Sequence, residues 1–411
     1  MRLVDLKISH YKSLSEIALT EIQPVTVLVG CNGVGKSNLA DALRFLRDAM
    51  SQGLDHAVST RGGIDLIRQY SPTKPFQISF DFGFFDEECP EASYRYQLLL
   101  ISLKEGNYRV EHERGEWRDT RNVIVSLSET SPYKKEVVEE QMSFDRKADG
   151  SLSLKTSGKP IGLSYQPPIS LDTLAFGSHF STDYYLKNGR FGGQVLRDFI
   201  LNFRFSAIYP NTLRQPAPPD TDPILKENGA NWASILRTLK KTSRGKQAWD
   251  QIREMMRVVM PQLEDITTQA VGGFILPRFK VREASGEAHF FDPSQISDGT
   301  LRILGILLAL YQTPHPSLMV IEEPEQTVNP ALLALLADAF REVSERTQLL
   351  ITSHSPHLID CFEPENIQVV TMQNGETRIS PIRASQREAV KEHLLSLEQI
   401  MSSEGLLPEE S

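Results

Sequence analysis

Apolar residues recur along this chain in three rhythms. Pro24–Gly30 (PVTVLVG) is a short β-branched run, the pattern of a buried strand. Leu318–Ile321 and Leu349–Thr352 are similar short apolar runs and also read as strands. Asn38–Leu46 (NLADALRFL) places apolar residues at helical spacing, as do Leu301, Leu304, Leu307 and Leu308. Phe76–Phe82 and Tyr94–Leu103 alternate or run apolar, so residues 76–146 read as strand-rich. Residues 190–265 read as helical. Trp232, Leu236 and Leu239 share one face, as do Trp249, Ile252, Met256 and Val259, and both faces read as core. Strands return over residues 274–291. Gly and Ser punctuate the polar stretch Lys147–Pro168, which reads as a mobile connection, and Gln215–Pro223 is a Pro-rich loop. No heptad pattern is sustained, so long coiled-coil arms are not expected.

Composition sharpens this picture. A chain of 411 residues can bury a large core and suggests two or three domains. Hydrophobic residues make up 40% and charged residues 24%, the globular range. The net charge of −9 argues against general adhesion to nucleic acid or anionic membrane, while leaving a local basic groove open. The basic cluster Arg237–Lys246 (RTLKKTSRGK) reads first as a solvated helix end and loop, and second as a phosphate-binding patch. No aromatics are interleaved with it for base stacking. The N-terminus lacks the apolar core of a signal peptide, and the run Ile303–Tyr311 is too short to span a bilayer. Cys31, Cys89 and Cys361 have neither metal nor disulfide spacing. A cytoplasmic protein with no membrane partner is expected.

The candidate chemistry begins at Gly30-Cys31-Asn32-Gly33-Val34-Gly35-Lys36-Ser37. A glycine, four residues and Gly-Lys-Ser between a strand and a helix is a phosphate-binding loop. Its glycines let backbone amides curl around phosphate oxygens, and the helix start adds its positive dipole end. Lys36 is expected to reach the outer phosphates of ATP, and the Ser37 hydroxyl to bind magnesium. Cys31, lying inside the loop, is expected to make it sensitive to thiol reagents. Glu322 and Glu323 follow the strand Leu318–Ile321, at the carboxyl end where an open α/β sheet places its ligand. Glu322 is expected in the magnesium shell, and Glu323 to orient and deprotonate water. The competing readings are a turn without ligand for the first motif and a chance acidic pair for the second.

Four motifs in fixed order then carry a resemblance. Leu6–Leu14 with Val25–Ser37, Ile296-Ser297-Asp298-Gly299-Thr300-Leu301-Arg302, Glu322-Glu323-Pro324-Glu325 and Ile351-Thr352-Ser353-His354-Ser355-Pro356 are similar to the ABC-type ATPases of the SMC, RecF and OLD-like group. Within it, the chain most resembles the compact branch that is OLD-like without a Toprim domain. The resemblance covers roughly residues 1–50 and 285–375. It implies an α/β fold: a P-loop ABC ATPase head with a mixed sheet and an antiparallel β layer, plus a mainly helical insertion. The expected domains are 1–150 and 271–395 for the two lobes of the head, 151–270 for the insertion and 396–411 for an acidic tail. The nucleotide set it implies is Gly30, Asn32, Gly33, Gly35, Lys36, Ser37 and Asn38, with Lys12 touching phosphates. Ser297 and Gly299 would bind the γ-phosphate of ATP held by a second subunit, and His354 would sense that phosphate. A homodimer or higher oligomer sandwiching two ATP molecules follows.

Departures from the family pattern are visible. Glu322 stands where aspartate is commoner, and Asn329 where histidine is usual. Gln69 and Gln77 lie in the stretch where a magnesium-sensing glutamine is expected, with no frame to choose between them. The stretch after His354 is short for a Toprim nuclease, so any effector, such as a nuclease, is expected on a separate chain. The acidic end Glu404–Ser411 is expected to be disordered. The function expected is an ATP-hydrolysing switch or sensor controlling a partner effector, in bacterial anti-phage defence. The alternatives are a RecF-like or SMC-like ATPase that clamps DNA, and an ATP-binding scaffold with negligible hydrolysis.

Overall fold

The computed structural model describes residues 1–69, 77–86, 92–125, 134–156, 159–160, 174, 192–283 and 286–409. The chain divides into two compact units, each assembled from separated stretches of sequence. The first comprises Met1–Ile22, Gly33–Phe203 and Val370–Ile379; the second comprises Gln23–Asn32, Arg204–Val369 and Ser380–Ser411.

The first unit is built on an antiparallel sheet. Its strands, numbered along the chain, are β1 (Arg2–Tyr11), β2 (Leu14–Leu19), β4 (Gln77–Phe85), β5 (Ser93–Ser102), β6 (Tyr108–Val125), β7 (Lys134–Lys147), β8 (Leu152–Thr156) and β9 (Lys159–Pro160). The strand order is β2-β1-β4-β5-β6-β7-β8-β9. The alternation in the sequence sets which face is buried. Ile78, Phe80, Phe82 and Phe84 of β4 and Tyr94, Tyr96, Leu98 and Leu100 of β5 all point inward. Against that face lies helix α1 (Lys36–Gln52), which buries Leu39, Leu43, Phe45 and Leu46. Phe45 stacks on Phe80 with centroids 5.6 Å apart, and Tyr11 meets both rings at 5.8 Å. The connection expected at Lys147–Pro168 contains β8 and β9 instead of a continuous loop; residues 157–158 and 161–168 of it lie outside the described residues.

The second unit is organised on a six-stranded sheet. The sheet is made of β3 (Val25–Val29), β10 (Phe203–Ser206), β14 (Leu318–Glu322), β15 (Gln348–Ser353), β16 (Ile367–Gln373) and β17 (Glu376–Pro381), in the order β10-β14-β15-β3-β16-β17; its Val370–Ile379 portion is assigned to the first unit. β14, β15, β3 and β16 run parallel. β3, buried at every position, shows why its sequence is a continuous apolar run. Helix Asp298–Tyr311 is buried at every residue from Leu301 to Tyr311, the signature of a core helix. Trp232–Leu239 and Ser243–Val259 pack into the same core through Trp232, Leu236, Leu239, Trp249, Ile252 and Met256, the faces read from the sequence. A small antiparallel sheet of β11 (Leu263–Val271), β12 (Phe274–Arg282) and β13 (Ala288–Phe291) precedes the core helix.

One expectation is corrected here. Residues 404–409 are not a disordered tail; they fold back onto the second unit. The Arg383 N–H donates to the Leu407 carbonyl at 2.9 Å, Ile382 bridges Pro408, and Arg387 pairs with Glu409 at 3.0 Å. Acidic composition alone says nothing about such partners, because they lie on a distant segment. Glu410 and Ser411 lie outside the described residues.

Candidate functional site

The parallel register gathers three of the motifs within the second unit. Glu322 lies opposite Thr352, Thr352 opposite Leu28, and Ser353 opposite Val29. The acidic pair, His354 and the Gly30 end of β3 therefore leave the sheet at one edge, its carboxyl end. Gly30 is half-buried, and Cys31 and Asn32 are exposed there.

Glu323 sits just past β14 with φ +45°, a left-handed conformation unusual for glutamate. Tertiary hydrogen bonds hold it. Its N–H donates to the Thr352 carbonyl at 3.0 Å and also lies 3.2 Å from Thr352 Oγ1. Its carbonyl accepts from Arg302 at 2.8 Å. The Gln326 side-chain amide donates to its carboxylate. The His354 ring nitrogen Nδ1 lies 3.6 Å from Glu323 Oε1 and 3.7 Å from Glu325 Oε1.

Ser297 is the N-cap of helix Asp298–Tyr311, accepting from the Thr300 N–H at 3.2 Å, and it is exposed. Arg214 braces this start, donating to the Ile296 carbonyl at 2.8 Å and pairing with Asp298 at 2.5 Å. Gly299 is required by close approach. A Cβ there would stand 2.7 Å from the Thr327 carbonyl, so the helix start rests on the loop after Glu323-Pro324-Glu325. Asn329, in that loop, caps the following turn through the Ala331 N–H at 3.0 Å.

The rest of the phosphate loop belongs to the first unit. Gly33 and Gly35 have φ of +82° and +101°, and Lys36 and Ser37 open α1. Lys36 is buried and Ser37 exposed. A chain of hydroxyls fixes the loop from behind. Asn38 Nδ2 donates to Ser13 Oγ at 2.7 Å, Ser13 Oγ and Thr377 Oγ1 are 2.6 Å apart, and Thr377 Oγ1 donates to the Val34 carbonyl at 2.8 Å. Each hydroxyl has one proton, so the Ser13 proton must go to Thr377. The chain then runs in one direction, each bond polarising the next.

Lys12 is engaged elsewhere in that unit. It pairs with Asp41 at 2.6 Å, and Asp41 also accepts from Tyr11 at 2.7 Å and Arg61 at 3.0 Å. Burial alone would raise the Asp41 pKa, but bonds from Lys12 and Tyr11 and the Arg61 charge outweigh it and hold the carboxyl below its usual range. Gln69 is buried with its amide 3.3 Å from Glu376, and Gln77 is exposed at the start of β4. Among the described residues, no helix is long and apolar enough to cross a membrane.

Comparison with known proteins decides the lineage. A family described as "AAA domain, putative AbiEii toxin, Type IV TA system" matches residues 25–360. The chain belongs to this AAA family. Its fold is similar to that of an SmcHead bound to the C-winged helix domain of ScpA, at 13% identity, covering 94% of this chain and 99% of that one, with a TM-score of 0.50. A Smc head domain with an extended coiled coil, bound to the C-terminal domain of ScpA and derived from Pyrococcus furiosus, aligns at 11% identity over 96% of this chain and 99% of that one, with a TM-score of 0.49. No curated protein matches. The expected α/β fold class, that of a P-loop ATPase head, therefore holds.

The sequence reading singled out Gly30–Ser37, Glu322-Glu323 and His354 for roles, but gave none to Ser13, Thr377, Arg302 or Glu325. Ser13 and Glu325 lie inside quoted motifs, so a signal for them existed. Arg302 also closes the quoted run Ile296–Arg302. Thr377 had no signal, because its partners are fixed only by folding.

Proposed function

We propose that this AAA-family chain binds ATP with magnesium, hydrolyses it in a nucleotide-sandwiched homodimer, and acts as a switch controlling a separate effector. The observation that supports this most directly is the register that brings Gly30, Glu322-Glu323 and His354 to one edge of a parallel sheet. The glycine geometry fits a triphosphate. Gly33 and Gly35 adopt left-handed φ, as backbone amides turned inward around an anion require. Ser37 and Glu322 supply hard oxygen donors, the kind magnesium prefers. When bound, the ion neutralises charge on the outer phosphates. Lys36 holds those phosphates, Glu323 accepts the proton of the attacking water, and His354 faces the γ-phosphate. Gly30, Asn32, Gly33, Gly35 and Asn38 complete the cradle.

Ser297 and Gly299 read the γ-phosphate of the other subunit. Ser297 is exposed at a helix start of fourteen residues, with its hydroxyl at the positive dipole end. Light scattering of Glu323→Gln with magnesium-ATP is expected to give dimer mass, and monomer mass without nucleotide. Adding Ser297→Arg is expected to abolish the rise while leaving ATP binding intact. A protein that binds ATP and never dimerises would sink the sandwich model.

The hydroxyl chain behind the loop makes its own prediction. Thr377→Val removes the donor to the Val34 carbonyl and is expected to weaken ATP binding about tenfold, roughly the loss of one or two buried hydrogen bonds. Thr377→Ser is expected to restore it. Titration with a fluorescent ATP analogue reads both, and equal affinity in all three proteins would remove Thr377 from the site.

A role in bacterial anti-phage defence agrees with the toxin–antitoxin description of the family. Direct clamping of DNA draws less on Arg237–Lys246 than its charge count suggests. Lys240 is bound to Asp265 at 2.7 Å and lies 4.5 Å from the Trp249 ring centre, so part of that charge is used internally.

A further inference from the structure

The turn that carries Glu323 is gripped by two buried ions of opposite sign, neither of which fills its hydrogen-bonding capacity. Arg302, 3% exposed, comes from helix Asp298–Tyr311. It donates to the Ile208 carbonyl at 2.6 Å, to the Glu323 carbonyl at 2.8 Å and to the Glu322 carbonyl at 3.4 Å, and its Nε has no partner. Glu325, 7% exposed, accepts on Oε1 from Ser353 Oγ at 2.7 Å and from the His354 N–H at 3.0 Å. Its Oε2 is buried and has no partner.

Charge is the unexplained part. A glutamine could accept the same two bonds that Glu325 accepts, at far lower desolvation cost. The three carbonyls that Arg302 serves do not require a cation either. Burial lowers the Arg302 pKa, and the nearby Glu325, Tyr209 and Glu323 charges act against that drop. The carboxylates thus favour the charged form of Arg302.

What they hold is significant. Glu323 is left-handed without being glycine, so its conformation comes from outside contacts and not from local preference. Arg302 supplies the contact from the helix that starts at Ser297. Glu325 supplies the contact to the backbone of His354, whose Nδ1 faces both carboxylates. One side chain on each flank thus ties the turn to a different motif.

We propose that Arg302 and Glu325 are positioning residues. Together they form a charged brace that links the Ser297 helix start to the Glu323 carboxylate and to His354, so that the geometry of the helix start sets the geometry of the base. This rests on the reading of Glu323 as the base.

The test uses the full-length protein with two variants. Glu325→Gln keeps the shape and the acceptor oxygen and removes only the charge. Arg302→Lys keeps the charge and cannot reach three carbonyls. The quantities are kcat, KM for ATP, affinity for a non-hydrolysable ATP analogue and melting temperature, with Glu323→Gln measured alongside. Both variants are expected to lower kcat ten- to hundredfold, the scale of a small misplacement of a reacting group, with analogue affinity within about twofold. A kcat unchanged in both, or one falling only in step with analogue affinity or melting temperature, overturns the brace. If Arg302→Lys does not fold, the isosteric Glu325→Gln decides alone. A silent Glu325→Gln beside a slow Glu323→Gln defeats this proposal only; a silent Glu323→Gln defeats the reading of the base itself.

Discussion

Glu323→Gln is expected to slow ATP turnover by roughly a hundredfold or more while leaving ATP affinity within about a factor of two, the usual consequence of losing a general base. Glutamine has the same shape, so the bonds that fix the residue survive. Its N–H still reaches Thr352, and its carbonyl still accepts from Arg302. What disappears is the proton acceptor and a negative charge 3.6 Å from His354 Nδ1. Phosphate release at saturating ATP gives the rate, and titration with a fluorescent ATP analogue gives the affinity. Turnover at the wild-type rate would remove Glu323 from the chemistry. A large loss of affinity would instead move it into the magnesium shell beside Glu322. Scarcely measurable turnover in the unaltered protein would favour the scaffold reading.

The second large effect is expected at Gly35. Gly35→Ala combines two penalties at one position. The residue has φ +101°, a region that L side chains rarely adopt. Its new Cβ would lie 2.0 Å from Thr377 Oγ1 and 2.7 Å from Ser13 Oγ. Neither neighbour can easily yield, because Thr377 is fully buried and both hydroxyls are committed in the chain from Asn38 to the Val34 carbonyl. The loop must open to accept the methyl group. ATP affinity is expected to fall at least a hundredfold, about 3 kcal/mol. Gly33→Ala is the matched comparison. Its φ of +82° brings the same kind of strain, but nothing lies within 4 Å of its Cβ. A loss of about 1 to 2 kcal/mol is expected there. Equal losses at the two glycines would mean that backbone strain alone matters and that the hydroxyl chain does not shape the loop.

Much of the fold was legible because its signals are local. A continuous apolar run such as Val25–Val29 can only be satisfied by burial on both faces, and strand periodicity then follows from geometry. Phe80 and Phe82 declared the inward face of β4 by their spacing alone. The buried helix Asp298–Tyr311 was visible through its leucines, although its burial on every side was not. Among the site motifs, Gly30–Ser37 was readable because a phosphate loop needs its glycines, lysine and serine at fixed offsets between a strand and a helix.

The rest required folding, for one physical reason. A hydrogen bond or ion pair between distant segments leaves no periodic trace in either segment. Ser13 and Thr377 are 364 residues apart in the chain and 2.6 Å apart in space. Arg302 closes the quoted run Ile296–Arg302, but nothing in that run shows that its guanidinium reaches the Glu323 carbonyl. Arg383 and Leu407 turn an acidic end from an expected disordered tail into a docked segment, through bonds that composition does not encode. The linear order of residues settled which chemical groups were available and which local elements would carry them. The pairing of strands and the buried polar bonds settled which groups meet, because those contacts close only when chain segments far apart in sequence pack together.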